Sequence, residues 1–168
     1  MSFRACVVIP CYNHHRVIAD TTAALLQQGF TVIIVDDASD DETAQVLSQL
    51  ADVDNQLIVE TLAVNLGKGG AVIHGLRKAA ELGFSHAVQL DADGQHDLAD
   101  MAGLLDLAKA NPDALNIVKL GVGPAKACFA VGVLCHLPAR ALDMGMSVAH
   151  PRCSFYIIKF CVRSGIDQ

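Results

Sequence analysis

Residues 5–13 read Ala5-Cys6-Val7-Val8-Ile9-Pro10-Cys11-Tyr12-Asn13, an unbroken apolar run that meets a proline and gives way to polar groups. A run without polar alternation is the pattern of a strand covered on both faces, as in the middle of a parallel sheet. Pro10 is the expected stop, because it has no N–H to give to a ladder. Three later runs repeat the design. Thr31-Val32-Ile33-Ile34-Val35 ends in Asp36-Asp37, residues 57–62 lead to Asn65-Leu66-Gly67-Lys68-Gly69, and His86-Ala87-Val88-Gln89-Leu90 ends in Asp91-Ala92-Asp93-Gly94-Gln95-His96. The carboxyl ends of parallel strands open onto one crevice, so clusters spread over about eighty positions can meet on one ligand.

Between the strands the period changes to that of helices. Residues 16–28 place Val17, Ile18, Ala24 and Leu25 on one stripe and are closed by Gly29. Ser39-Asp40-Asp41-Glu42 has the Ser-x-x-Glu form of a capping box, opening a helix whose apolar face is Val46, Leu47 and Leu50. A third helix is expected from about residue 70 to 82, ended by Gly83, and a fourth is capped by Asp97 with Leu98, Met101, Leu104, Leu105 and Ala108 at helical spacing. Four strands alternating with four helices, joined by right-handed crossovers, predict an α/β fold: a Rossmann-like, mostly parallel sheet with helices on both faces.

The chain has 168 residues, 52% of them hydrophobic, and a mean hydropathy of +0.39, enough for one domain with a real core. Its net charge of −6 argues against a nucleic-acid partner, which would need clustered Lys and Arg. No stretch reaches the roughly 20 apolar residues of a membrane span. The start, Met1-Ser2-Phe3-Arg4, lacks the apolar segment of a secretory signal, so the expected location is cytoplasmic. The six cysteines lack paired C-x2-C spacing and read as reduced, buried thiols.

Beyond residue 115 the character changes. Residues 1–115 carry 6 Lys and Arg against 16 Asp and Glu, a balance of −10; residues 116–168 carry 6 against 2, a balance of +4. Glycines and prolines interrupt every candidate element there, so an irregular C-terminal tail is expected.

The clusters differ in what they can do. Asp91 and Asp93, at i and i+2 past a strand, can reach a common Mg2+ or Mn2+ ion, which prefers a few carboxylates plus phosphate oxygens; the plainer reading is an Asx turn. Asp36 and Asp37 can accept hydrogen bonds from ribose hydroxyls or a base edge, or form a solvated turn. Residues 65–70 combine glycines, Lys68 and a helix start, which suits an anionic group or, more plainly, caps the helix. This is not a Walker A loop, whose spacing is absent. Tyr12 and Asn13 can stack on and bond a base, or fill a sheet edge. His14-His15 reads as surface, His96 stands beside the carboxylate pair, and nothing resembles a G-x-S-x-G nucleophile elbow.

Taken in order, these motifs resemble the family 2 glycosyltransferases of the GT-A fold. The resemblance is carried by Val7-Val8-Ile9-Pro10-Cys11-Tyr12-Asn13, Val35-Asp36-Asp37-Ala38-Ser39-Asp40-Asp41-Glu42-Thr43, Asn65-Leu66-Gly67-Lys68-Gly69-Gly70-Ala71 and Asp91-Ala92-Asp93-Gly94-Gln95-His96, and covers about residues 4–115. It implies that Pro10, Tyr12 and Asp37 line a nucleotide pocket and that Lys68 lies near the donor. It also implies that Asp91 and Asp93 hold Mn2+ or Mg2+ on a UDP- or GDP-linked sugar, with Gln95 beside them. The metal's task would be to stabilise charge growing on the leaving diphosphate. Such enzymes usually invert the anomeric centre, and the acceptor, a lipid phosphate, a glycan or a protein, is not specified. Peripheral membrane association is common in the family.

The chain departs from the pattern in two places. His14 stands where many relatives carry Glu, and Asp143 and Asp167 are the only carboxylates after residue 115. The expectation is therefore a nucleotide-sugar-binding domain over residues 1–115 and an atypical acceptor region over 116–168, truncated or frame-shifted, with donor binding exceeding turnover. One alternative is a non-catalytic nucleotide-binding remnant. Another is a haloacid-dehalogenase-like phosphatase using Asp91 as nucleophile and Asp93 as acid/base, although three strand-helix units precede the motif here.

Overall fold

The computed structural model describes residues 3–52, 54–94, 98, 100–110, 116–118 and 155–159. In chain order the elements are β1 (Ala5–Cys11), α1 (His15–Gln27), β2 (Thr31–Asp36), α2 (Asp41–Ala51), β3 (Leu57–Thr61), α3 (Gly67–Glu81), β4 (His86–Gln89), α4 (Asp100–Ala110), β5 (Asn116–Val118) and β6 (Phe155–Lys159). They form a six-stranded sheet of order β3-β2-β1-β4-β6-β5. The first four strands are mutually parallel, while β6 runs antiparallel to β4 and β5 antiparallel to β6. The sheet is therefore mostly parallel, as expected, and the two added strands come from beyond residue 115, where periodicity announced none. The domain boundary expected near 115 lies outside the described residues.

Alternation along the strands sorts the core into two layers. Val7, Ile9, Cys11, Val32, Ile34, Val88 and Leu90 face Ile18 and Leu25 of α1, Leu47 of α2, and Met101, Leu104 and Ala108 of α4. Cys6, Val8, Ile33, Val35 and Ala87 face Ala71, Leu76 and Ala79 of α3. Each neighbour in sequence thus points to the opposite face, which is why the interior positions of β1 and β2 are all apolar. Helix α3 comes closest to the sheet at Gly75, where a Cβ would lie 2.4 Å from Val8 Cγ1 and 3.0 Å from Val35 Cγ2.

The helix ends expected at Gly29 and Gly83 are observed. At α1, Gly29 (φ 80°) donates to Leu26 O at 2.9 Å and Phe30 to Leu25 O at 3.2 Å; at α3, Gly83 (φ 77°) donates to Ala80 O at 3.0 Å and Phe84 to Ala79 O at 3.1 Å. Both are Schellman closures, whose left-handed residue favours glycine. Two local expectations are corrected. The N-cap of α2 is Asp40, whose Oδ1 accepts from Thr43 N at 2.9 Å, while Ser39 is engaged elsewhere. Pro10 does not stop β1 but lies inside it. Val8 O accepts from Leu90 N on the β4 side and Cys11 O from Asp37 N on the β2 side. Pro10, on the same side as Val8, faces β4 just past that strand's last residue, Gln89, so its missing N–H breaks no ladder bond.

Candidate functional site

The strand order runs outward from β1 in both directions, to β2 and β3 on one side and to β4 on the other. A switch of this kind parts the loops at the carboxyl ends and leaves a crevice. A cavity of about 400 Å³ opens there, in the range of roughly 300–1,000 Å³ typical of small-molecule sites. It is lined by Pro10, Cys11, Tyr12 and His14 after β1, by Asp37 after β2, by Asn65, Gly67, Lys68 and Ala71 before and in α3, and by Asp91, Ala92 and Asp93 after β4.

Of the residues singled out from sequence, Pro10, Tyr12, Asp37, Lys68, Asp91 and Asp93 are brought together. Asn13 and Asp36 are not among the lining residues and bind backbone instead. Asn13 adopts φ 58°, a region asparagine tolerates better than most residues. Its N–H donates to Ser39 Oγ at 3.1 Å and its Oδ1 accepts from Asp40 N at 2.8 Å, stitching the loop after β1 to the first turn of α2. Asp36 is buried, and its Oδ1 accepts from Ser39 N, three residues on, at 3.1 Å, which holds the turn after β2. Gln95, together with His96 and Asp97, lies outside the described residues.

Asp37 does two things at once. It is only 2% exposed, it lines the cavity, and its Oδ1 accepts from Leu66 N at 2.6 Å. That bond fastens the loop before α3 to the end of β2. Asn65 Oδ1 then accepts from Gly67 N at 2.9 Å and turns the chain into the helix, so that Lys68 emerges beside β4. Lys68 Nζ lies 2.6 Å from Oδ1 and 2.8 Å from Oδ2 of Asp91. From β4, the buried amide of Gln89 donates to Asp91 Oδ1 at 2.7 Å.

Sequence reasoning assigned no role to Gln89 or Asn65 and read His14 as a surface residue. The available signal for Gln89 was its polarity inside an otherwise apolar run. Cys6 and Cys11 are buried free thiols, as expected, and the other four cysteines lie outside the described residues. Burial pushes the Cys11 thiol up to about 11, reinforced by Asp36 and Asp40, so at neutral pH it is a protonated wall of the cavity rather than a nucleophile.

The charge of the cavity is lopsided, with Asp37, Asp91 and Asp93 against Lys68. An anionic ligand would meet net repulsion unless a cation came with it. Asp91 and Asp93 offer the hard oxygen donors that Mg2+ and Mn2+ take, and among the described residues no group of three or more His, Cys, Asp or Glu could hold a metal by itself. The donor set fits a divalent ion that completes its shell with phosphate oxygens and water.

Comparison with known proteins matches residues 6–127 to the family described as Glycosyl transferase family 2. Among curated proteins, the chain is 36% identical over 112 residues to the UDP-N-acetylglucosamine--dolichyl-phosphate N-acetylglucosaminyltransferase of Methanococcus voltae, covering 59% of this chain and 45% of that protein. It is 32% identical over 120 residues to an undecaprenyl-phosphate 4-deoxy-4-formamido-L-arabinose transferase of Yersinia pestis, covering 67% of this chain and 36% of that protein. The chain thus spans less than half the length of these relatives. Similar solved structures include S. aureus TarS 1-349 in complex with UDP-GlcNAc, at 24% identity and TM-score 0.53, covering 74% of this chain and 37% of that one. Another is a mannosyltransferase from Pyrobaculum calidifontis in complex with GDP-Man and Mn2+, at 21% identity and TM-score 0.55, covering 70% of this chain and 36% of that one. These likenesses establish a GT-A architecture.

Proposed function

The chain belongs to glycosyl transferase family 2, and from that premise we propose that it binds a UDP- or GDP-linked sugar in the crevice between β1 and β4 and passes the sugar to an acceptor. One observation carries the reading. Side chains from four strand ends line a single cavity whose three carboxylates and one ammonium suit a diphosphate escorted by a divalent cation. The phosphatase alternative is set aside by the family assignment.

The roles follow from position. Tyr12, half exposed at the mouth, presents a ring for a base to stack on. Asp37, next to it, accepts hydrogen bonds from the nucleoside while holding the loop of Lys68 in place. Asp91 and Asp93 would hold Mn2+ or Mg2+, which when bound supplies Lewis-acid stabilisation of the departing diphosphate. Lys68 adds a positive charge on the leaving-group side.

The acceptor we propose is a lipid phosphate, supported by the names of the curated relatives, which specify dolichyl phosphate and undecaprenyl phosphate. Its chemistry bears on how the attacking oxygen is deprotonated. A phosphate monoester loses its second proton at a pKa of about 6, so at neutral pH the nucleophilic oxygen arrives already ionised. Attack opposite the leaving diphosphate then inverts the anomeric centre without a strong base. The reaction takes place at a membrane surface, approached from the cytoplasmic side; among the described residues no helix is long and apolar enough to cross a membrane.

The test is calorimetric. UDP or GDP is expected to bind only with Mn2+ or Mg2+ present, and Asp93→Ala to abolish that metal dependence. Equal affinity in EDTA would overturn the metal-dependent donor site. Nucleotide binding with neither sugar transfer to a polyprenyl phosphate nor donor hydrolysis would select the binding-only alternative.

A further inference from the structure

We infer that Lys68 is a built-in competitor for the divalent cation, a tethered ammonium that has to leave Asp91 before Asp91 can ligate a metal. The inference rests on the donor-site reading above and adds an exchange step to it. Lys68 Nζ sits astride Asp91, 2.6 Å from one carboxylate oxygen and 2.8 Å from the other. A divalent ion bound by Asp91 needs those same oxygens, and two cations at contact distance from one carboxylate repel each other strongly in a partly desolvated cleft.

The two partners differ in their freedom to move. The Lys68 side chain is 60% exposed, on a long flexible stem near the start of α3, whereas that of Asp91 is 22% exposed and fixed through Gln89. Lys68 is therefore the one that swings. Its backbone stays anchored, because Asp37 holds Leu66 N and Asn65 holds Gly67 N, so the released ammonium remains within the same cavity. A diphosphate entering with the metal offers it a new partner. Without the diphosphate, metal binding breaks an ion pair and gains no replacement. The consequence is positive coupling: Mn2+ and the nucleoside diphosphate each bind more tightly in the presence of the other, beyond their direct contact.

The experiment measures free Mn2+ by electron paramagnetic resonance during titration of the wild-type chain, Lys68→Met and Lys68→Arg, alone and with UDP and GDP in separate runs. Circular dichroism checks that each variant is folded. For Lys68→Met, affinity for Mn2+ alone is expected to rise roughly twofold to fivefold, the scale of a largely exposed ion pair. Lys68→Arg is expected to stay near wild type, and the nucleotide-induced gain in Mn2+ affinity to shrink in Lys68→Met. If Lys68→Met binds Mn2+ alone no more tightly than wild type while nucleotide still promotes Mn2+ binding to wild type, the exchange is wrong and the metal-dependent donor site stands. Failure of wild type to bind Mn2+ under any of these conditions overturns both.

Discussion

Gln89 shows how much a single buried side chain can decide. It occupies a position in β4 where the sheet calls for an apolar residue, is 3% exposed, and gives its amide to Asp91 Oδ1. A buried polar group of this kind is tolerated only with a partner, and here the partner is a proposed metal ligand. Gln89→Leu keeps the approximate volume and removes the donor. The expected outcome is a roughly tenfold to hundredfold loss of metal-dependent nucleotide affinity, the usual effect of losing a hydrogen bond to a ligating group. Calorimetry with Mn2+ measures it, with circular dichroism as the control for folding, and unchanged affinity would show that Asp91 needs no such support. At this scale the sequence was only partly legible. Asp37, Asp91, Asp93 and Lys68 could be picked out because each follows an apolar run. That Asn13 and Asp36 serve backbone N–H groups could not, because a short polar side chain at a strand end suits a turn and a ligand equally well.

Among the elements, α3 is the one that delivers Lys68 to the cavity, and its seat on the sheet is set by Gly75. Gly75→Ala would bring a Cβ within 2.4 Å of Val8 Cγ1, and Val8 is fully buried in a central strand with no room to retreat. Alanine's better helix propensity returns at most about 1 kcal/mol, and overpacking a tight core costs about 1–3 kcal/mol. The substitution is therefore expected to lower the urea midpoint, and its cost and that of Val8→Ala to be less than additive in the double variant. A rise in midpoint for Gly75→Ala alone would contradict the packing described. Element types and order were readable because buried parallel strands and amphipathic helices have different periods. Boundaries were less so. Ser39 and Asp40 are both good caps, and only the fold, by assigning Ser39 to Asn13, leaves the role to Asp40. Pro10 looked like a terminator because a sequence does not reveal which neighbour its missing N–H would face.

For the molecule as a whole, stability in acid depends on carboxylates that the fold keeps ionised. Glu60 on β3 lies 2.7 Å from Lys78 and 3.2 Å from His74 of α3, and the hydrogen bond from Lys78, aided by His74, holds its pKa below the ordinary 4.5. Asp40 is lowered from 3.8 chiefly by its hydrogen bonds with Thr43. A depressed folded-state pKa contributes stability that is present above the unfolded value and is lost as pH falls through the folded one. The stabilising share of Glu60 therefore fades below about pH 4.5 and that of Asp40 below about pH 3.8, and Glu60→Gln should flatten the acid limb of a stability profile. Urea unfolding from pH 7 to 3 measures this, and an unaltered acid limb would remove Glu60 from the account. The parallel sheet and its crevice were legible because four apolar runs each ended in polar clusters. The two strands after residue 115 were not, since short segments among glycines and prolines carry too little pattern to register as strands.

Because Asn13 is bonded through its backbone to Ser39 and through its side chain to Asp40, the lip of the cleft bearing Tyr12 is immobilised before any ligand arrives. The entropic toll of capture then falls on the opposite lip, where a long lysine has to reorient. Efforts to tighten donor affinity would gain most from a shorter cation at position 68 that gives up less freedom, since the tyrosine's side is already preorganised.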